Sequence, residues 1–146
     1  MCIAGENQGS RGLPSRSIGM GQALLVSIDI PLGREVIDAV EAAGFNVNVA
    51  LWAFFSEYED WRLVLASRKL DKENLFQQYM LVNRATDAAG IGIRRVPEIM
   101  ILKMTDPFIR ELRRLYGKSK DIEGMRIGGY SIGGRGVQDA WVYRIT

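Results

Sequence analysis

The pentapeptide Gly129-Tyr130-Ser131-Ile132-Gly133 has the spelling of a hydrolase nucleophile elbow, in which a serine on a tight strand-to-helix turn attacks a carbonyl. That attack needs a base to take the serine proton, and the 146-residue chain contains no histidine. Glycines and another extended segment follow the serine where the elbow needs a helix, and no lysine follows in the hairpin to replace the imidazole. The match is a coincidence of turn residues. The surrounding GGYSIGGRG also fails as a phosphate cradle, since it lacks the lysine-serine or lysine-threonine ending and opens no helix. Gly133-Gly134 instead reads as hairpin turn chemistry, where glycine takes positive φ without strain. Glu57, Glu59 and Asp60 bunch in one polar segment, but without the spacing or the glycine of a calcium loop. They read as a solvated turn. The only cysteine is Cys2, which excludes an internal disulfide, a thiolate zinc site and a CxxC redox pair. No metal or cofactor is expected.

Two constellations survive this filter. Arg110, Arg113 and Arg114 recur at i, i+3 and i+4 and so share a helix face, with Lys118 and Lys120 just beyond. Guanidinium groups at this spacing clamp phosphates, which makes nucleic acid a candidate partner with salt-sensitive, sequence-independent binding. The plainer reading is a solvated face whose cations complement the negative end of the helix dipole. An overall charge of +2, from 19 Lys+Arg against 17 Asp+Glu, is modest for a nucleic-acid binder.

The second constellation is the last hairpin. With a four-residue turn at Gly133–Gly136, Tyr130 faces Asp139, Gly128 faces Trp141, and Arg126 faces Tyr143. Arg126, Tyr130, Asp139, Trp141 and Tyr143 then form an aromatic, polar-tipped surface, an interface or ligand candidate rich in hot-spot residue types. Ile127, Gly129, Ala140 and Val142 take the opposite side, as the core face. The plainer alternative is a second covered face with Asp139 paired to Arg126. An enzyme built on Asp139, Tyr130 and Arg126 is the weakest reading, because it requires these groups to converge in a concave pocket.

The elements that must hold these groups follow from periodicity. Pro31–Ala43 is a helix, capped by Asp29 or its neighbour and stopped by Gly44, with Leu32, Val36, Val40 and Ala43 on one face. Val47–Phe55 and Trp61–Ser67 are strands joined by the loop Ser56–Asp60. With Phe55 opposite Trp61, Ala53 meets Leu63 and Leu51 meets Leu65. Both faces of this hairpin are then mostly apolar, so it is either covered twice or completed by a partner. Asp71 caps a second helix running to Ala89, with Leu75, Phe76, Tyr79, Val82 and Thr86 inward. Val96–Met104 is a third strand, apolar on both sides and suited to a central position. Asp106-Pro107 opens a third helix with Phe108, Leu112 and Leu115 inward. Met125–Ile132 and Val137–Ile145 close the chain. The order α-β-β-α-β-α-β-β predicts a single α+β domain over residues 20–146, with three helices and a mixed, mainly antiparallel sheet of about five strands.

The remaining expectations concern context. Residues 1–19 are glycine-rich and read as a disordered tail, while Ala23–Ile28 is a short strand or a lead-in turn. No apolar run approaches the ~20 residues that a bilayer span needs, and residues 1–19 lack the apolar core of a secretory signal. A cytoplasmic location is expected. The segments Ala42-Ala43-Gly44-Phe45, Ala50-Leu51-Trp52, Trp61-Arg62-Leu63-Val64 and Asp139-Ala140-Trp141-Val142-Tyr143-Arg144 resemble a family of small bacterial proteins with no assigned activity. The resemblance implies one bacterial cytoplasmic domain and brings no catalytic residues. The composite expectation is a non-enzymatic interaction module that self-associates through apolar sheet surface, with an unknown protein partner. A nucleic-acid-binding accessory is the alternative.

Overall fold

The computed structural model describes residues 28–146, so the expected tail at 1–19 and most of Ala23–Ile28 lie outside the described residues. The chain forms an α+β domain. Helix α1 (Ile30–Ala42) is followed by strands β1 (Val49–Phe55) and β2 (Asp60–Ala66), a 3-10 turn (Leu70–Lys72) and helix α2 (Leu75–Ala88). Strand β3 (Ile99–Ile101), helix α3 (Pro107–Tyr116) and strands β4 (Arg126–Ile127), β5 (Tyr130–Ile132) and β6 (Arg135–Ile145) complete it. The sheet runs β3-β2-β1-β6-β4, with β5 also paired to β6. Among the described residues only β2 and β3 pair in parallel. The sheet is therefore mixed and mainly antiparallel.

Local chemistry sets the helix ends. Asp29 Oδ1 accepts from Leu32 N at 2.9 Å, Pro31 occupies the first turn, and Gly44 at φ +98° follows the last. Asp106 caps α3 by accepting from Phe108 N at 2.9 Å. In α2 the cap is Asn74, which accepts from Gln77 N at 2.9 Å. Asp71, expected in that role, lies in the 3-10 turn and accepts instead from Met104 N at 3.0 Å.

β1 is buried along its entire length because each of its faces meets helices of the same chain. Ala50, Trp52 and Phe54, with Trp61, Leu63 and Leu65 of β2, pack against α1 and α2. Val49, Leu51, Ala53 and Phe55, with Val64 and Ala66, pack against Phe108, Ile109 and Leu112 of α3. Each large side chain buried this way contributes about 1.5–3 kcal/mol. Of the two ways to satisfy a doubly apolar hairpin, the chain uses its own helices.

The details correct several expectations. Phe55 pairs with Asp60 and Ala53 with Arg62, one residue out of the expected register. The loop is four residues, because Tyr58 N and Glu59 N both donate to Phe55 O and Glu59 takes φ +50°. A shift of one turns every β2 side chain to the other face. The third strand is short and lies at an edge, not the centre. Its doubly apolar character comes from burial between Ile101 on the α2 side and Met100 and Leu102 on the α3 side. Tyr79 OH accepts from Ile101 N at 3.0 Å, which occupies that edge backbone donor. Ala43 and Leu115 are exposed, and so are Leu75 and Phe76 at the start of α2. Leu75 lies in the first turn beyond the core, while Phe76 points away from the buried stripe Gln78, Val82, Ala85 and Thr86.

Candidate functional site

The last hairpin turns on Gly133-Gly134 alone, both at positive φ, as a two-residue connection requires. Tyr130 therefore faces Val137, and Arg126 faces Trp141, two residues from the expected register. A second irregularity separates the candidate residues. Phe54 opposes Asp139 and Phe55 opposes Val137, so Gln138 is an extra, bulged residue in β6. Val137 then points to α3 and Asp139 to the opposite side. Tyr130 goes with Val137, and its hydroxyl meets Tyr116 OH of α3 at 2.9 Å. That hydrogen bond, with some burial, pushes the Tyr116 phenol up to about 12.

The other four residues stay together. Arg126 grips Asp139 through two bonds, Nε to Oδ1 at 3.0 Å and Nη2 to Oδ2 at 2.5 Å. Asp139 is 6 % exposed and also accepts from the Ala140 N–H, while the guanidinium is half open to solvent. Trp141 and Tyr143 meet edge to face at 4.8 Å. The Tyr143 hydroxyl accepts from Trp52 Nε1 at 2.9 Å and donates to Ile30 O at 2.6 Å. Burial drives its phenol up to about 12. Arg34 of α1, not Arg126, lies over the Tyr143 ring at 5.2 Å. The aromatic end of this surface is thus roofed by α1. Gly33 allows the helix to come so close, since a Cβ there would overlap the Tyr143 hydroxyl and sit 2.9 Å from Trp52 Nε1. Ile127, Ala140 and Val142 occupy the α3 side, the core face expected for them, whereas Gly129, expected with them, is exposed.

Arg144, next along β6, reaches Glu41 of α1 at 2.6 Å and the Val47 carbonyl, in the segment leading to β1, at 2.8 Å. Burial alone raises the Glu41 pKa, but the Arg144 hydrogen bond and the Val47 N–H outweigh it, and the carboxyl is lowered. The hairpin is a joint between layers as much as a surface.

The arginine stripe of α3 is partly engaged. Arg114 pairs with Glu111 at 2.6 Å and holds that carboxyl below its ordinary value. Arg113 Nε donates to Thr146 O at 3.0 Å. Arg110 and Lys118 are exposed. Among the described residues no group of three or more acidic or cysteine side chains is arranged to hold a metal ion, Glu57, Glu59 and Asp60 included.

Periodicity did not reveal the apolar residues left outside. Phe76 is 69 % and Ile93 is 90 % exposed. Phe76, Met80, Asn83 and Asp87 share the outer face of α2 by i, i+4, i+7 and i+11 spacing. Met80, Arg84, Asp87, Ile91, Ile93 and Val96 border a cleft of about 360 Å³ beside it. A sequence signal existed: Phe76 stands between Leu75 and a polar Gln-Gln pair, off the buried stripe. Among the described residues no helix is long and apolar enough to cross a membrane. Compared with protein-family models, curated proteins and solved structures, the chain matches none.

Proposed function

We propose that this domain is a non-catalytic interaction module that associates with a second copy of itself. The observation that carries the reading is the apolar surface left on α2 and the adjoining Gly90–Val96 segment after both cores are filled. Because the faces of the β1–β2 hairpin are covered by the chain's own helices, the contact moves from the sheet to the outer face of α2. Arg84 and Asp87 flank the apolar side chains, and an isologous two-fold contact sets the Arg84 of each copy against the Asp87 of the other. Apolar centres with a charged rim are the ordinary anatomy of such contacts.

Sedimentation equilibrium over a wide concentration range tests this. The expected result is a monomer–dimer equilibrium that Phe76→Glu with Ile93→Glu abolishes, the variant keeping the Tm of the dilute, monomeric wild-type chain. A wild-type chain that stays monomeric throughout ends the proposal. Nucleic-acid binding through Arg110, Arg113, Arg114 and Lys118 has less support, because the Glu111 and Thr146 contacts occupy two of the four. Retention on single- or double-stranded nucleic acid at low salt, lost on Arg110→Glu with Lys118→Glu, is the result that would favour it.

A further inference from the structure

We infer that residues Ala23–Ser27 pair with the outer edge of β3 and close that side of the sheet as a guard strand. The inward backbone groups of β3 are taken by β2: Leu63 N donates to Glu98 O at 2.8 Å, and Leu102 N donates to Leu65 O at 3.0 Å. Those two bonds fix the parallel register, so the N–H and C=O of both Ile99 and Ile101 point away from the sheet. Tyr79 OH takes one of these four groups, Ile101 N. Ile99 N, Ile99 O and Ile101 O have no hydrogen-bond partner among the described residues. The packing also loosens here. Leu63, Val64 and Leu65 of β2 are fully buried, whereas Ile99 is only half-buried.

The position of Ile28 selects the occupant. Ile28 packs against the α1–α2 core and lines one cleft with Pro97 and Glu98, the residues that lead into β3. The residues just before Ile28 therefore meet this edge at the high effective concentration of a short tether. A segment that ends beside the start of β3 and lies along its edge runs antiparallel to it. Five extended residues span about 17 Å, at ~3.4 Å each, which covers the three residues of β3. Ala23-Leu24-Leu25-Val26-Ser27 carries no charge, glycine or proline, unlike the glycine-rich stretch before it. Alternation along a strand places Leu24 and Val26 on one face and Leu25 on the other. Apolar groups on both faces suit this edge, because Ile99 and Ile101 belong to the α1–α2 core and Met100 and Leu102 to the α3 core. An open edge is a template for pairing with other chains, and a guard strand removes it.

Amide hydrogen exchange of the full chain, read in ¹H–¹⁵N spectra, tests this with Leu24→Pro, Leu25→Pro and Val26→Pro made one at a time. In the unsubstituted chain the Ile99 amide should exchange at least about tenfold more slowly than in the unfolded chain. Proline at a position whose N–H faces β3 should restore the unfolded rate, and proline at the next position, whose N–H faces away, should leave exchange slow. The three substitutions should thus alternate in effect. Gln8→Pro, in the glycine-rich stretch, should change nothing. Unprotected exchange of Ile99 in the unsubstituted chain overturns the assignment. Equal loss of protection in all three variants also overturns it, since that result means apolar docking without strand pairing. So does protection that all three prolines leave intact, and protection of that kind which grows with protein concentration assigns the edge to a second copy's strand instead.

Discussion

Gly33 sets two effects against each other at one residue. Alanine is favoured over glycine inside a helix by about 1 kcal/mol. A methyl group at this site collides with the Tyr143 hydroxyl and the Trp52 indole, and overpacking of this kind costs about 1–3 kcal/mol. The collision also breaks the relay from Trp52 through Tyr143 to Ile30 O. Gly33→Ala should therefore lower stability, as urea denaturation will measure. Tyr143 itself links folding to pH. Burial holds its proton to about 12, against an ordinary value of 10.0, so the folded chain binds the proton more tightly than the unfolded one. Its contribution is full below pH 10 and is lost as pH rises through about 12. Spectrophotometric titration should show two phenols, Tyr116 and Tyr143, ionising near 12, and Tyr143→Phe should remove one of them and flatten the fall in stability over that window. Asp139 is legible at this scale in a limited sense. Its pairing with Arg126 was one of two readings of the residue types, but its separation from Tyr130 depended on a bulge that no residue type announces.

Turns and registers decide the elements. Gly133 and Gly134 both take positive φ, yet they are not equivalent. A Cβ on Gly133 overlaps the backbone of Pro107 and Phe108 at the start of α3, whereas a Cβ on Gly134 meets open space. Gly134→Ala should cost about 1 kcal/mol from conformation alone. Gly133→Ala should cost clearly more, because neither backbone can yield, and comparing the two midpoints in denaturant checks the difference. Helix existence was readable from capping residues and apolar spacing, and α1 agrees with its expected span to within a residue or so. Strand partners were less readable. In the first hairpin one loop residue joined the strand and reversed β2. In the last, a two-residue turn and the bulge at Gln138 rearranged the facing pairs. Hydrogen bonds such as those of Glu59 N and Tyr58 N to Phe55 O determine these outcomes, and the composition of a polar loop does not specify them.

At the scale of the molecule, charge and apolar surface are distributed to keep the sheet closed. Arg135 lies over Phe55 at 5.9 Å and within 3.7 Å of Asp106, tying the last turn to the first hairpin and to the cap of α3. The surface that remains is the outer face of α2, and a dimer formed there should show a concentration-dependent Tm that Phe76→Glu removes. The alternation of helical and extended periods, the capping residues and the two apolar faces of β1 determined the α+β class and the three helices, because these depend on neighbours in sequence. The missing histidine likewise disposed of the GxSxG pattern without any coordinates. Tertiary structure alone decided which apolar groups are buried. Phe76 and Val82 both lie in α2, yet only the second meets a sheet face, and Tyr143 is covered only because Gly33 lets α1 descend on it. Burial and register are set by groups far apart along the chain, and no local pattern carries that information.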